Sequence, residues 1–114
     1  MTQTEAVVSG RPAEGTVFRV MLRMQIHPGM EREFERVWHD TSGVIGGNPA
    51  NIGQWLLRSA EEESVYYIMS DWVDEPSFRA FEGTAEHVEH RVKLHPYRSN
   101  GTMTAMNVIY ALCR

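Results

Sequence analysis

At 114 residues, 42% hydrophobic and 23% charged, the chain has the composition of a folding globular sequence, and its length permits one core rather than two. Eleven basic against fifteen acidic residues leave a net charge of −4, which offers no general attraction to phosphate backbones or anionic lipid and argues against nucleic acid or a membrane surface as partner. The single cysteine, Cys113, excludes an intrachain disulfide. No apolar run reaches membrane-spanning length and the first fifteen residues carry no leader pattern, so the expected setting is cytoplasmic.

Met1 to Gly15 mix Thr, Gln, Glu, Ser, Gly and Pro without apolar periodicity. They are predicted to form a flexible N-terminal tail, ahead of a single domain over residues 16–114. From Thr16 to His27 the residues alternate, with Phe18, Val20, Leu22, Met24 and Ile26 on one side and Arg19, Met21, Arg23 and Gln25 on the other; this is the pattern of a half-buried strand. The stretch HPGMEREFERVWHD then changes period, placing Met30, Phe34, Val37, Trp38 and Thr41 at helical spacing. GVIGGNPAN, with its glycines and proline, reads as a turn-rich stop.

Asn51 to Ser59 and Ser64 to Trp72 are β-prone and joined by AEEE, which predicts an antiparallel hairpin. A second helical region begins after Asp74, a plausible N-cap with Pro76 in the first turn, and a longer helix is expected from Ala85 toward Leu94, before Pro96. Met103 to Leu112, rich in Met, Val, Ile and Tyr, reads as the closing strand. The order β-α-β-β-α-β is the split βαβ, ferredoxin-like topology: an α+β subunit whose four-stranded antiparallel sheet carries helices on one face. The other face, with Arg19, Met21 and Arg23, is either solvated or covered. Its mixed character predicts an isologous homodimer that stacks two sheets.

Candidate chemistry concentrates in EHVEHRVKLH. His87 and His90 share a helix face, with Arg91 one residue further, so two imidazoles and a cation either converge on one cleft or form a solvated helix face. In the first case a neutral His can take a proton from a bound ligand, and Arg91 or a protonated His can hold the resulting anion. His87, His90 and His95 match neither common zinc-helix spacing, and no metal is expected. Trp38, Trp55, Tyr66, Tyr67, Trp72, Phe78 and Phe81 are enough to line a flat polycyclic ligand, although most must serve the core. Strand parity puts Tyr66, Ile68, Ser70 and Trp72 on one face, which predicts a cleft between sheet and helices lined by Trp72 and Tyr66. Asn51 and Gln54 are candidates to bond substrate oxygens, and Asn51 equally suits the turn before the second strand.

The stretches VMLRMQIHPGMEREFERVW, GQWLLRS and YYIMSDWVDEPSFRAFEG resemble the antibiotic-biosynthesis monooxygenase family, small dimeric α+β barrels. NPANIGQWLLRS, VYYIMSDWVDE and HRVKLHPYRSNGTM resemble in particular the members encoded beside aromatic polyketide synthases for spore pigments and pentangular polyphenols. The resemblance implies a homodimeric oxygenase with no metal or flavin and with dioxygen as co-substrate. It converts a polycyclic phenol or anthrone to a quinone, in the setting of a polyketide cyclase. The Trp that ends the third strand in the anthrone-oxidising relatives matches Trp72. Their Asn four residues earlier falls on Ile68 and their helical Tyr six residues later falls on Phe78, so their catalytic arrangement is not carried over intact. The resemblance also admits a non-oxidising accessory protein that assists cyclisation, and haem degradation as practised in the same superfamily. The last expects an Asn in the first strand and a Trp where Phe81 stands.

Overall fold

A computed structural model describes residues 17–113; the tail expected over residues 1–15 lies outside the described residues. The elements run β1 (Phe18–Ile26), α1 (Glu31–Thr41), α2 (Gly43–Gly46), β2 (Asn51–Arg58), β3 (Val65–Trp72), α3 (Glu75–Glu82), α4 (Ala85–Leu94), a single 3-10 turn (His95–Tyr97) and β4 (Arg98–Asn107). The strands form one sheet in the order β2-β3-β1-β4, with every neighbouring pair antiparallel. This is the ferredoxin-like arrangement, in which β1 and β3 occupy the centre. Among the described residues no helix is long and apolar enough to cross a membrane.

Alternation in β1 decides the layering. Phe18, Val20, Met24 and Ile26 are buried beneath the helices, because a strand sends successive side chains to opposite faces. Two apolar clusters follow along that face. One joins Phe18, Val20, Ile45, Trp72, Phe78 and Phe81, and the other Met24, Ile26, Phe34, Tyr66, Ile68 and Leu94. Phe34 fixes α1 on the second cluster, stacking edge-on against Tyr66 at 5.1 Å between centroids. Gly29, at φ 92°, supplies the left-handed residue at the exit from β1.

Helix starts are set by side chains. Asp74 accepts from the Ser77 N–H at 2.8 Å at the head of α3, where Pro76 stands in the first turn; Thr84 Oγ1 accepts from the His87 N–H at 3.2 Å at the head of α4. Both are N-caps that satisfy an otherwise unpaired amide.

Two expectations change. The stretch GVIGGNPAN contains the short helix α2, whose Ile45 is buried in the first cluster. The closing strand lies five residues nearer the N-terminus than Met103 to Leu112. Its register runs from Arg98 against Ile26 to Asn107 against Phe18, the first residue of β1. Pairing with β1 therefore outweighs the turn propensity of Ser99, Asn100 and Gly101, and beyond Val108, whose N–H bonds the Val17 carbonyl at 3.0 Å, no strand residue remains to pair with.

The face away from the helices carries Arg19, Met21 and Arg23 from β1, Trp55 and Leu57 from β2, and Tyr67, Met69 and Asp71 from β3, as the cross-strand register requires. Arg19 and Asp71, directly opposed, form a two-pronged ion pair at 2.7 and 2.9 Å. That geometry matches both guanidinium donors to both carboxylate oxygens.

Candidate functional site

Among the described residues are two concavities that bear on a ligand site. The larger, about 690 Å³, is a trough around the β2–β3 turn walled by Glu31, Glu61, Glu62, Glu63, Arg58 and Tyr66. The smaller, about 260 Å³, sits between the sheet and the helices where the two apolar clusters meet. It is mainly apolar, with a few polar groups converging on it, which is the character of a small-molecule site.

The floor of this cavity comes from β1 (Val20, Leu22, Met24), β3 (Ile68, Ser70, Trp72) and β4 (Gly101, Met103); α3 and α4 close it with Phe78, Phe81, His87 and His90. Trp72, 1% exposed, packs against Phe78 at 5.4 Å and Phe81 at 5.0 Å between centroids. Its indole N–H donates to Ser70 Oγ at 3.0 Å. That bond uses the only polar hydrogen of Trp72 and leaves the Ser70 hydroxyl its own proton to donate.

Opposite the strands stand the two histidines. Their separation of three residues puts both on the inner side of α4, and His87 lies edge-on to Phe81 at 4.9 Å. His90 is 4% exposed. In each ring Nδ1 is buried with no hydrogen-bond partner among the described residues. Burial pushes both imidazoles below their ordinary value. Arg91 adds to this at His87, with Glu82 opposing; His87 and Lys93 add to it at His90, with the Thr41 backbone opposing. Both rings are therefore neutral near pH 7, and each offers a lone pair to a proton. Arg91 and Arg98 stand at the mouth.

Of the residues singled out in the sequence, the cavity gathers Trp72, Phe78, Phe81, His87, His90 and Arg91. The others lie elsewhere. Tyr66 shares the strand face of Trp72, but six residues of strand separate them by roughly 20 Å. Its hydroxyl donates to Glu35, and its edge borders the acidic trough. Trp38 packs on the Phe34 cluster. Trp55 projects from the uncovered face, because its partner in the register is Met69 and not Ser70 or Ile68. Asn51 Nδ2 donates to the Gly53 and Asp71 carbonyls at 3.3 and 3.2 Å, bracing the bulge in β2. Gln54 Nε2 donates to the Ser42 carbonyl at 2.7 Å, tying β2 to the start of α2. His95 is exposed in the 3-10 turn, and among the described residues no three His, Cys, Asp or Glu side chains gather as metal ligands.

Ser70, Arg98 and Met103 were not singled out. Ser70 was recoverable from its parity with Trp72. Arg98 was hidden by the misplaced start of β4, and Met103, though placed in that strand, was not assigned to the cleft.

The sequence profile of the antibiotic biosynthesis monooxygenase family matches residues 17–93, from the residue before β1 to the last turn of α4. The chain belongs to that family. Among curated relatives, protein SchA of Streptomyces halstedii is 30% identical over 84 residues, 74% of this chain and 22% of SchA. The 42.8 kDa protein in the whiE locus of Streptomyces coelicolor is 25% identical over 76 residues, 67% of this chain and 19% of that protein. The chain thus spans about a fifth of the length of either relative. Solved structures share the fold. SnoaB of Streptomyces nogalater, a cofactor-independent oxygenase, superposes with a TM-score of 0.73 at 20% identity, over 82% of this chain and 93% of its own. A putative antibiotic biosynthesis monooxygenase of Bordetella bronchiseptica reaches 0.76 at 18% identity, over 82% and 98%.

Proposed function

We propose that this member of the family is a monooxygenase of aromatic polyketide biosynthesis that oxidises a polycyclic phenol or anthrone-type intermediate to a quinone, with dioxygen as co-substrate and no bound cofactor. The observation that carries this reading is an aromatic-walled cavity lined by two neutral imidazoles, His90 buried and His87 partly so. The substrate class comes from the sequence resemblance to members encoded beside aromatic polyketide synthases, and the cofactor-free chemistry is in keeping with the description of SnoaB.

In this reading the ring system lies against Trp72, Phe78 and Phe81, which supply area burial and stacking. His90, with His87 as second candidate, removes a proton from the acidic carbon or phenol. The Ser70 hydroxyl, held through its bond to Trp72, donates to the oxygen on which the negative charge collects, a bond that strengthens as the charge develops. Trp72 is thereby a positioning residue. The carbanion passes an electron to dioxygen, and recombination gives a hydroperoxide on carbon. Loss of water leaves a carbonyl, so that CH2 and O2 become C=O and H2O. The protein's part is to hold, orient and ionise the substrate.

The uncovered sheet face supports the expected homodimer. Trp55 and Leu57 are 42% and 41% exposed there, and the edge strand β4 and the residues after it expose Met106, Ile109, Tyr110 and Leu112. A long edge with apolar flanks is normally covered.

A second reading, an accessory protein that binds the polyketide and assists a cyclase, is favoured by Ile68 and Phe78, since both are apolar where the oxidising relatives carry Asn and Tyr. The two readings separate in an oxygen electrode. Protein freed of metal and flavin is offered an anthrone, and dioxygen uptake is followed together with the quinone absorbance. Equimolar uptake and quinone are expected; tight binding without uptake would establish the accessory role.

A further inference from the structure

Two cations that line the cavity have no carboxylate partner among the described residues. Arg19, Arg23, Arg58 and Arg79 are all engaged by carboxylates within 4.0 Å. Arg91 on α4 and Arg98 at the start of β4 have no carboxylate in reach among the described residues, yet both line the cavity. Glu82, the one carboxylate lining the cavity among the described residues, is bonded to Arg79 at 3.2 Å. In a chain of net charge −4 the cavity mouth is therefore a local positive site.

Arg98 is also seated. A Cβ built on Gly101 would stand 2.6 Å from Arg98 Nη1, so the guanidinium occupies the space that any other residue at position 101 would fill with its side chain. Gly101 lies opposite Met24 and faces the cavity from β4. The strand thus directs the head of Arg98 over its own backbone toward the opening and leaves the outer surface to other residues. The volume of the cavity, about 260 Å³, is just under the roughly 300–1,000 Å³ of pockets that bury drug-sized ligands. If this cavity is the substrate site, a polycyclic ligand too large to enter whole would leave one edge toward Arg91 and Arg98.

We propose that Arg98, seated on Gly101, and Arg91 form an anion subsite at the cavity mouth that selects polycyclic substrates bearing a carboxylate on the outward edge. The planar guanidinium matches a carboxylate with two parallel N–H bonds. This subsite rests on the reading of the cavity as the substrate site, and the experiment separates the two. A matched pair of probes, 2-naphthoate and methyl 2-naphthoate, shares one ring system and differs in charge. Binding is measured by calorimetry on the full chain at low and high salt.

The naphthoate is expected to bind about tenfold or more tightly than the ester, as charge-assisted contacts require, and only its affinity should weaken as salt rises. Arg98→Gln and Arg91→Gln should each remove most of that advantage and leave the ester unchanged. Gly101→Ala, which keeps both charges but displaces the guanidinium, should reduce naphthoate affinity alone. Equal binding of acid and ester, or equal loss of both in Arg98→Gln, overturns the subsite and leaves the cavity reading standing. If neither probe binds, the cavity is no ligand site and both readings fall.

Discussion

Trp72 donates its indole N–H to Ser70 Oγ at 3.0 Å, across a two-residue step on the helix-facing side of β3. Both groups are buried, at 1% and 7% exposure, so neither has water as a substitute partner. Ser70→Ala leaves the indole donor unsatisfied and should cost about 1–3 kcal/mol in urea unfolding. Trp72→Phe together with Ser70→Ala should cost less than the sum of the two single changes, because the double variant has no orphaned donor. Strict additivity would show that the bond contributes nothing.

The pH dependence of the reaction follows from the buried histidines. Both imidazoles titrate below their ordinary value of 6.5, chiefly through burial. Turnover should therefore rise with pH through a midpoint below 6.5 and level off by neutrality, because only the neutral ring accepts a proton. Replacing the true base, His90→Ala or His87→Ala, should lower the rate on the order of a hundredfold to ten-thousandfold with binding largely intact. The same shift acts on folding. The unfolded chain binds the proton first as pH falls, so stability should be complete above 6.5 and decline as pH drops through the lowered folded values. Two histidine variants with near-normal turnover would refute the general-base assignment.

Tyr66 works in the opposite pH direction. Burial, reinforced by its hydrogen bond to Glu35, pushes the phenol up to about 12 from 10.0. The folded state keeps a proton that the unfolded state releases, so this contribution is present below pH 10 and lost as pH climbs toward 12. Tyr66→Phe should flatten that alkaline slope in chemical-denaturation midpoints. An unchanged slope would place the alkaline titration on another group.

The uncovered sheet face predicts assembly. The mass in solution should be twice 13.1 kDa at micromolar concentration, and Trp55→Glu, which puts a charge into the apolar part of that face, should shift it to the monomer. Light scattering that reports 13.1 kDa for the unaltered protein would rule the homodimer out. The fold should survive the substitution, because Trp55 is no part of either core cluster.

Legibility differed between elements for physical reasons. Alternation in β1, the Asp74 cap with Pro76 behind it, and the run from Ala85 to Leu94 are local signals. The amino-acid sequence alone therefore determined the order of the strands and of the longer helices, the topology class, and the face that Trp72 shares with Ser70. The placement of β4 was not local. Its apolar content pointed beyond Asn107, whereas pairing with β1 runs out at Phe18, the first residue of that strand, so the strand moved and carried Arg98 and Gly101 to the cavity. Side-chain periodicity likewise names the residues on a face without saying how far apart they end. Tyr66 and Trp72 agree in parity, yet one closes the Phe34 cluster and the other walls the cavity. Asn51 and Gln54 carry groups suited to a ligand, but the bulge in β2 and the Ser42 carbonyl claim them first. What only the tertiary structure decided was which polar groups are left over, among the described residues, once the backbone has been satisfied: the Ser70 proton, the two histidine nitrogens, and the guanidiniums of Arg91 and Arg98 lining the cavity. Such a remainder depends on every contact made across the chain, so no local window of sequence contains it.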